Sequence, residues 1–179
     1  MYSEFYKIWS FWGIPVYIHW STALFSILLA LSSVLLGIQM IFFVLGVLFL
    51  LLLHEYGHAF FARRFGYEVE QIELFPMFGV CSYETPNDEY EEAIVVWGGV
   101  VAQFSLFLPV MLLLVVMGMS PFPVLNALLF VFAYFNVILM GFNLIPFPPL
   151  DGTRAWNLLP IYVQKRVEMR EEKKGRFPK

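Results

Sequence analysis

Charge is scarce in this chain. Of its 179 residues only 14% are charged while 60% are hydrophobic, and the mean hydropathy is +0.72. An ordinary soluble domain carries roughly 25% charged and 45–50% apolar residues. A free-standing soluble protein is therefore excluded and a membrane protein expected. Cysteine is almost absent: Cys81 stands alone, which excludes an intrachain disulfide and any CxxC metal or redox motif. It reads as a buried small residue. The net charge is only −3 and no basic cluster is interleaved with aromatics, so nucleic acid is not an expected partner. The opening MYSEFYKIWSFWGIPVYIHWS lacks a basic head, a short apolar core and a small-residue cleavage site, and no signal peptide is expected. Internal repeats and low-complexity segments are missing too.

What the chain has is apolar length. Four runs, approximately 18–37, 40–62, 93–119 and 122–142, approach or exceed the roughly 20 residues that a transmembrane helix needs. The breaks GIQ and GMSPFP between them are short and uncharged. An even number of spans places both termini and the long middle loop on one side. All eleven Lys and Arg then share that side: Lys7, Arg63, Arg64, Arg154 and the seven between Lys165 and Lys179. By the positive-inside rule this is the cytoplasm, and the expected location is the cell (plasma) membrane with both termini cytoplasmic.

The expected fold class is an all-α polytopic membrane protein of about four helices with a short membrane-surface β segment near residues 67–84. It would form a single membrane-embedded domain over 1–179, with a cytoplasmic tail over approximately 160–179. The β segment, YEVEQIELFPMFGVCSYE, mixes β-branched and aromatic residues with alternating glutamates, and Pro76 and Gly79 suit an edge strand or a turn. TPNDEYEE reads as a polar loop whose acidic run, a solvated face, begins the third span. WSFWGIPVYIHWS has the aromatic density of an interfacial belt or a strand. His19 within it reads as an interfacial polar residue and not as a ligand.

The chemistry lies in FLLLLHEYGHAFFARRFG, which holds two of the three histidines, His54 and His58, and the acid Glu55 within a run of apolar residues. A charge near the bilayer centre costs about 2.5–3.5 kcal/mol even on lenient scales, so Glu55 is a functional candidate by default. On a helix His54 and His58 project from one face, a turn apart, and both imidazoles reach one metal ion. Glu55, rotated about 100°, stands beside the water to be activated and not on the metal. This is the zinc hydrolase pattern; the alternative is a chance HExxH whose polar groups pair within a helical bundle. A hydrolytic zinc keeps three protein ligands, and no third histidine follows. Asp151, in NLIPFPPLDGTRAW, is the only acid between Glu92 and Glu168. Pro146, Pro148 and Pro149 forbid a regular helix there, so the segment can turn Asp151 back towards the histidines; otherwise Asp151 is the N-cap of a following helix.

HEYGH near the end of a span, followed two spans later by NLIPFPPLDG, resembles the site-2 protease family of intramembrane zinc metalloproteases. The similarity runs from GIPVYIHWS through IELFPMFGV to the LDG motif. The resemblance implies one Zn²⁺ per chain held by His54, His58 and Asp151, with Glu55 as general base. It also implies an active site open to the cytoplasm and cleavage of a membrane-spanning protein substrate near or inside the lipid bilayer. The family's G-P-x-x-N becomes GGVVAQ here, with Val100 for proline and Gln103 for asparagine, and LDGG becomes LDGT. Gln103 retains an amide that can donate to substrate or oxyanion, and Asn143 is the candidate to support the ligands from behind. The length leaves no room for a PDZ or CBS module, so a minimal form with a separate regulatory membrane protein is expected. A helical substrate must unwind to expose a peptide bond, and the strand at residues 70–75 is expected to hold it by strand addition. The rivals are the prenyl-protein peptidases, which use a downstream glutamate within a helical E-x-x-x-D/E type motif that this chain lacks between its spans, and a non-proteolytic zinc-binding membrane scaffold or transporter.

Overall fold

The computed structural model describes residues 4–175. The aromatic stretch at the start is a hairpin in which β1 (Phe5–Phe11) runs antiparallel to β2 (Ile14–His19). Phe11 pairs with Ile14 across a two-residue turn. Both turn residues, Trp12 and Gly13, have positive φ, 55° and 76°, which is the mirror-image turn whose twist suits paired strands. β2 runs straight into α1 (Trp20–Leu31), and the His19 ring caps that helix by accepting from the Ser21 amide at 3.3 Å.

Ser32 interrupts the helix. Its hydroxyl turns back on the Leu29 carbonyl at 2.5 Å, a bond that competes with the helical ladder, and one further turn, α2 (Ser33–Leu36), ends at Gly37 with φ 93°. The first expected span, 18–37, is thus a strand end followed by a broken helix. Three helices among the described residues are long and apolar enough to cross a membrane: α3 (Gln39–Arg64), α4 (Glu89–Met117) and the continuous helix Pro123–Asn143. The last comprises α5 (Pro123–Phe130), a π-helical stretch Val131–Phe135, and α6 (Asn136–Asn143). A one-turn α7 (Gly152–Ala155) and α8 (Leu158–Gly175) follow. The expected tail, 160–179, is therefore helical to Gly175, and its last four residues lie outside the described ones.

Between α3 and α4 come β3 (Val69–Leu74) and β4 (Gly79–Tyr83), within the expected surface segment. They do not stand alone, and this corrects the all-α expectation. One sheet of order β1-β2-β3-β4 forms, with β2 parallel to β3. Parallel pairing requires the chain to leave β2 and return to the same end. α1 and α2 carry it away and α3 brings it back, so the sheet lies by the C-terminal end of α3. The buried Thr22 hydroxyl donates to the Leu74 carbonyl at 2.9 Å and ties α1 to β3. Ile14, Val16, Ile72 and Leu74 then pack with Leu50, Leu51, Ala59 and Ala62 of α3 in the main core.

α3 and α4 touch through glycine. A Cβ on Gly57 would meet the Gly98 carbonyl oxygen at 2.2 Å, and one on Gly98 would meet the Gly57 oxygen at 2.5 Å. Small residues of this kind let two membrane helices bring their backbones together. The acidic run at the start of α4 is a docking edge as well as a solvated face. Asp88 caps the helix by accepting from the Tyr90 amide at 2.7 Å and pairs with Lys165 of α8 at 2.9 Å. Glu91 accepts from the Tyr67 hydroxyl at 2.6 Å, and Glu92 pairs with Arg154 at 3.3 Å.

Candidate metal centre

Along α3 the buried positions Leu51, His54, Glu55, His58, Ala59 and Ala62 follow the helical repeat, so one inward face carries the whole HEYGH motif. His54 and Glu55 point in different directions on that face. The His54 ring fills the space above Gly99 of α4, where a Cβ would come within 2.4 Å of Cε1. Glu55 lies under β4, where a Cβ on Gly79 would come within 2.5 Å of Oε1. The two glycines are therefore moulds for the two functional side chains.

Each histidine is held from behind. His58 Nδ1–H donates to the Val95 carbonyl at 3.0 Å, and His54 Nδ1–H donates to Gln103 Oε1 at 2.9 Å. With the protons on Nδ1, both Nε2 lone pairs face forward, 3.0 Å apart. Asp151 Oδ2 completes the triangle at 2.8 Å from His54 Nε2 and 3.3 Å from His58 Nε2. Three electron-rich atoms at this spacing repel one another unless a cation lies between them. A tetrahedral zinc with ligand bonds of about 2.0–2.1 Å has ligand–ligand edges of about 3.3 Å, and the His₂Asp set here fits it.

Asp151 heads α7, but its side chain makes no capping hydrogen bond. The carboxylate faces the histidines instead. The chain can double back here because residue 152 is glycine: a Cβ would meet the Leu144 and Ile145 carbonyl oxygens at 2.3 and 2.4 Å. Trp97 Nε1 donates to the Ala155 carbonyl and Trp156 Nε1 to the Leu144 carbonyl, each at 2.8 Å. The Arg154–Glu92 pair adds a second tie between the loop and α4.

The remaining candidates separate in depth. Asn143, half-buried at the end of α6, sets its amide nitrogen 3.3 and 3.2 Å from the two ring nitrogens of His54. Gln103 is fully buried behind His54. Cys81 is a free thiol on β4 beside Glu55; burial, then the Glu55 charge, pushes it far above its usual range and keeps it neutral. Reading by residue chemistry passes over Gly79, Gly99, Gly152 and Asn136. The glycine of LDG and the Gly98–Gly99 doublet were signals of close approach; Asn136 had none.

Residues 42–125 match the model of peptidase family M50. A zinc metalloprotease of Methanocaldococcus jannaschii is 34% identical over 157 residues, covering 83% of this chain and 43% of that protein. A relative from Synechocystis sp. is 33% identical over 163 residues, covering 82% of this chain and 41% of its own length. The chain thus spans about two fifths of the length of the curated relatives it matches. The solved site-2 protease from Methanocaldococcus jannaschii superposes with a TM-score of 0.65 at 27% identity, over 90% of this chain and 72% of that one. With its HEYGH helix, its returning LDG loop and the fold of a site-2 protease, this chain belongs to peptidase family M50.

Proposed function

We propose that the chain is an intramembrane zinc metalloendopeptidase that hydrolyses a peptide bond in or near the transmembrane segment of a membrane-bound protein. The observation that carries this reading is the convergence of His54 Nε2, His58 Nε2 and Asp151 Oδ2 beside the buried Glu55. Zinc held by those three residues would polarise the scissile carbonyl and acidify the attacking water. Glu55 takes the proton of that water and delivers it to the leaving amide nitrogen as the C–N bond breaks. Asn143 is placed to donate to the substrate carbonyl or to steady His54.

The substrate would be held at β4. β3 is paired on both sides, with β2 and β4, and has no free edge to offer, so the expectation of strand addition at residues 70–75 moves to the outer strand. A peptide added along β4 would run beside Gly79 and Glu55. His54 and His58 lie eight and four residues before Ala62, or about 6–12 Å along the helix, a depth that water can reach from the sheet side.

Four crossings, with the broken helix Trp20–Leu36 as the first, put the sheet, both termini and the lysines and arginines on one side, the cytoplasm, in a single membrane-embedded domain. The return of the chain from β2 to its parallel neighbour β3 supports this arrangement. In a Cys81→Ser background, single cysteines at positions 39 and 120 should then label from outside and one at 87 from the cytoplasm; labelling of all three from one side would break it. The activity is tested by Glu55→Gln, which keeps the side chain's size but not its basicity. Cleavage of a single-span reporter should fall by roughly 10²–10⁴-fold while bound zinc stays the same. Undiminished turnover would remove Glu55 from the mechanism.

A further inference from the structure

Behind His54 lies a second layer of polar side chains that the reaction does not touch. Gln103 of α4 and Asn136 of α6 are both 0% exposed. Gln103 receives the His54 Nδ1–H at 2.9 Å. Asn136 Nδ2 donates to the Gln103 backbone carbonyl at 3.0 Å and to the Phe132 carbonyl at 3.2 Å. Phe132 belongs to the π-helical stretch Val131–Phe135, immediately before Asn136. A π turn shifts the helical register, and this one precedes the asparagine that bridges α6 to α4.

These two amides are costly to keep. Gln103 Nε2 and Asn136 Oδ1 have no hydrogen-bond partner among the described residues, and a buried unpaired polar atom destabilises a fold. Methionine or leucine would fill the same volume without that cost. The arrangement is explained by what Gln103 does to His54: an acceptor at Nδ1 keeps the proton there and leaves Nε2 free to face Asp151 and His58.

We infer that Gln103 and Asn136 are positioning residues, a buried amide relay through which α6 and α4 hold His54 in its metal-ready tautomer and orientation. Asn136 fixes the α4 backbone at Gln103, and Gln103 fixes the ring. The inference rests on the zinc-protease reading and assigns these two residues to ligand orientation, with no contact to substrate. The acceptor at Nδ1 is all that matters chemically. A carboxylate there would serve as well as an amide, and carboxylates commonly support metal-binding histidines.

The test uses the purified full chain and two probes: zinc affinity by competition with a chromogenic chelator, and the visible absorption spectrum of the Co²⁺-substituted protein, which reports ligand geometry without catalysis. Gln103→Met should weaken zinc binding by roughly 10–100-fold and change the cobalt spectrum. Gln103→Glu should hold zinc within about threefold of the unaltered chain and restore the spectrum. Asn136→Leu should give a smaller loss, of about 3–10-fold. Val116→Ala, on an exposed face of α4, should change neither. Equal affinity and an unchanged spectrum in Gln103→Met would overturn the relay, as would lowered thermal stability alone. If Gln103→Met does not fold, Gln103→Glu decides, and a loss beyond tenfold there overturns the inference. Failure of the unaltered chain to bind zinc would instead overturn the protease reading itself.

Discussion

His54 and His58 reach the metal centre on an uninterrupted helix of 26 residues, whereas Asp151 reaches it on a proline-rich loop held down by side chains from other segments. On the helix, spacing does the work, because a separation of four residues places two imidazoles a turn apart whatever surrounds them. On the loop, nothing local decides where the carboxylate points. Gly152 lets the chain fold back on Leu144 and Ile145, two tryptophan N–H groups anchor it, and Arg154 pairs with Glu92. The two halves should therefore fail differently. Damage to the helix–helix seam should weaken the whole fold, while damage to the loop should weaken the metal site and leave the fold standing.

The largest effect should come from Asp151→Asn. A neutral amide is a poor zinc ligand, so affinity should fall by more than the roughly 10–100-fold that outer-shell changes cost, and reporter cleavage should disappear. Stability should hold, since Asp151 makes no capping bond to lose. Retained zinc and cleavage would show that the loop does not supply the third ligand.

A paired experiment sharpens the contrast. Gly152→Ala must push the loop off the Leu144 and Ile145 carbonyls, and should weaken zinc by about 100-fold with little change in melting. Gly57→Ala must push α3 from α4 at the Gly98 carbonyl, and should destabilise the protein by about 1–3 kcal/mol or more. Equal melting losses in the two variants would break the distinction between the halves. The smallest effect belongs to Trp97→Phe, which removes one hydrogen bond to Ala155. A neutral bond of this kind is worth about 0.5–1.5 kcal/mol, so zinc affinity should fall by at most about tenfold. A larger fall would make Trp97 the principal anchor of the loop.

Much of this was legible in residues alone. The third and fourth expected runs, 93–119 and 122–142, lie close to the helices Glu89–Met117 and Pro123–Asn143, because long apolar runs have few other solutions in lipid. The second run, 40–62, agrees with Gln39–Arg64. The first, 18–37, covers the end of β2 and a helix broken at Ser32, where a side-chain hydroxyl captures a backbone carbonyl, and hydropathy does not register that. The sheet was half legible. A surface β segment was expected, but its union with the N-terminal hairpin joins Val16 to Ile72 across more than fifty intervening residues, and strand pairing at that range leaves no local pattern. The same limit hid the free edge, since only the completed order reveals that β4 and not β3 is the outer strand on this side.

The sequence by itself determined the solvent, the motif and its register. Hydropathy requires a membrane, and the repeat of the α-helix places His54 and His58 on one face with Glu55 turned aside, because these are consequences of composition and covalent spacing. Only the tertiary structure decided whether Asp151 was a ligand candidate or a helix cap, and whether Gln103 faced substrate or the back of a histidine. Both questions concern where a side chain points after distant segments have packed. The answers came from close contacts that glycine permits, at Gly57, Gly99 and Gly152, and from carbonyl and amide partners supplied by other helices.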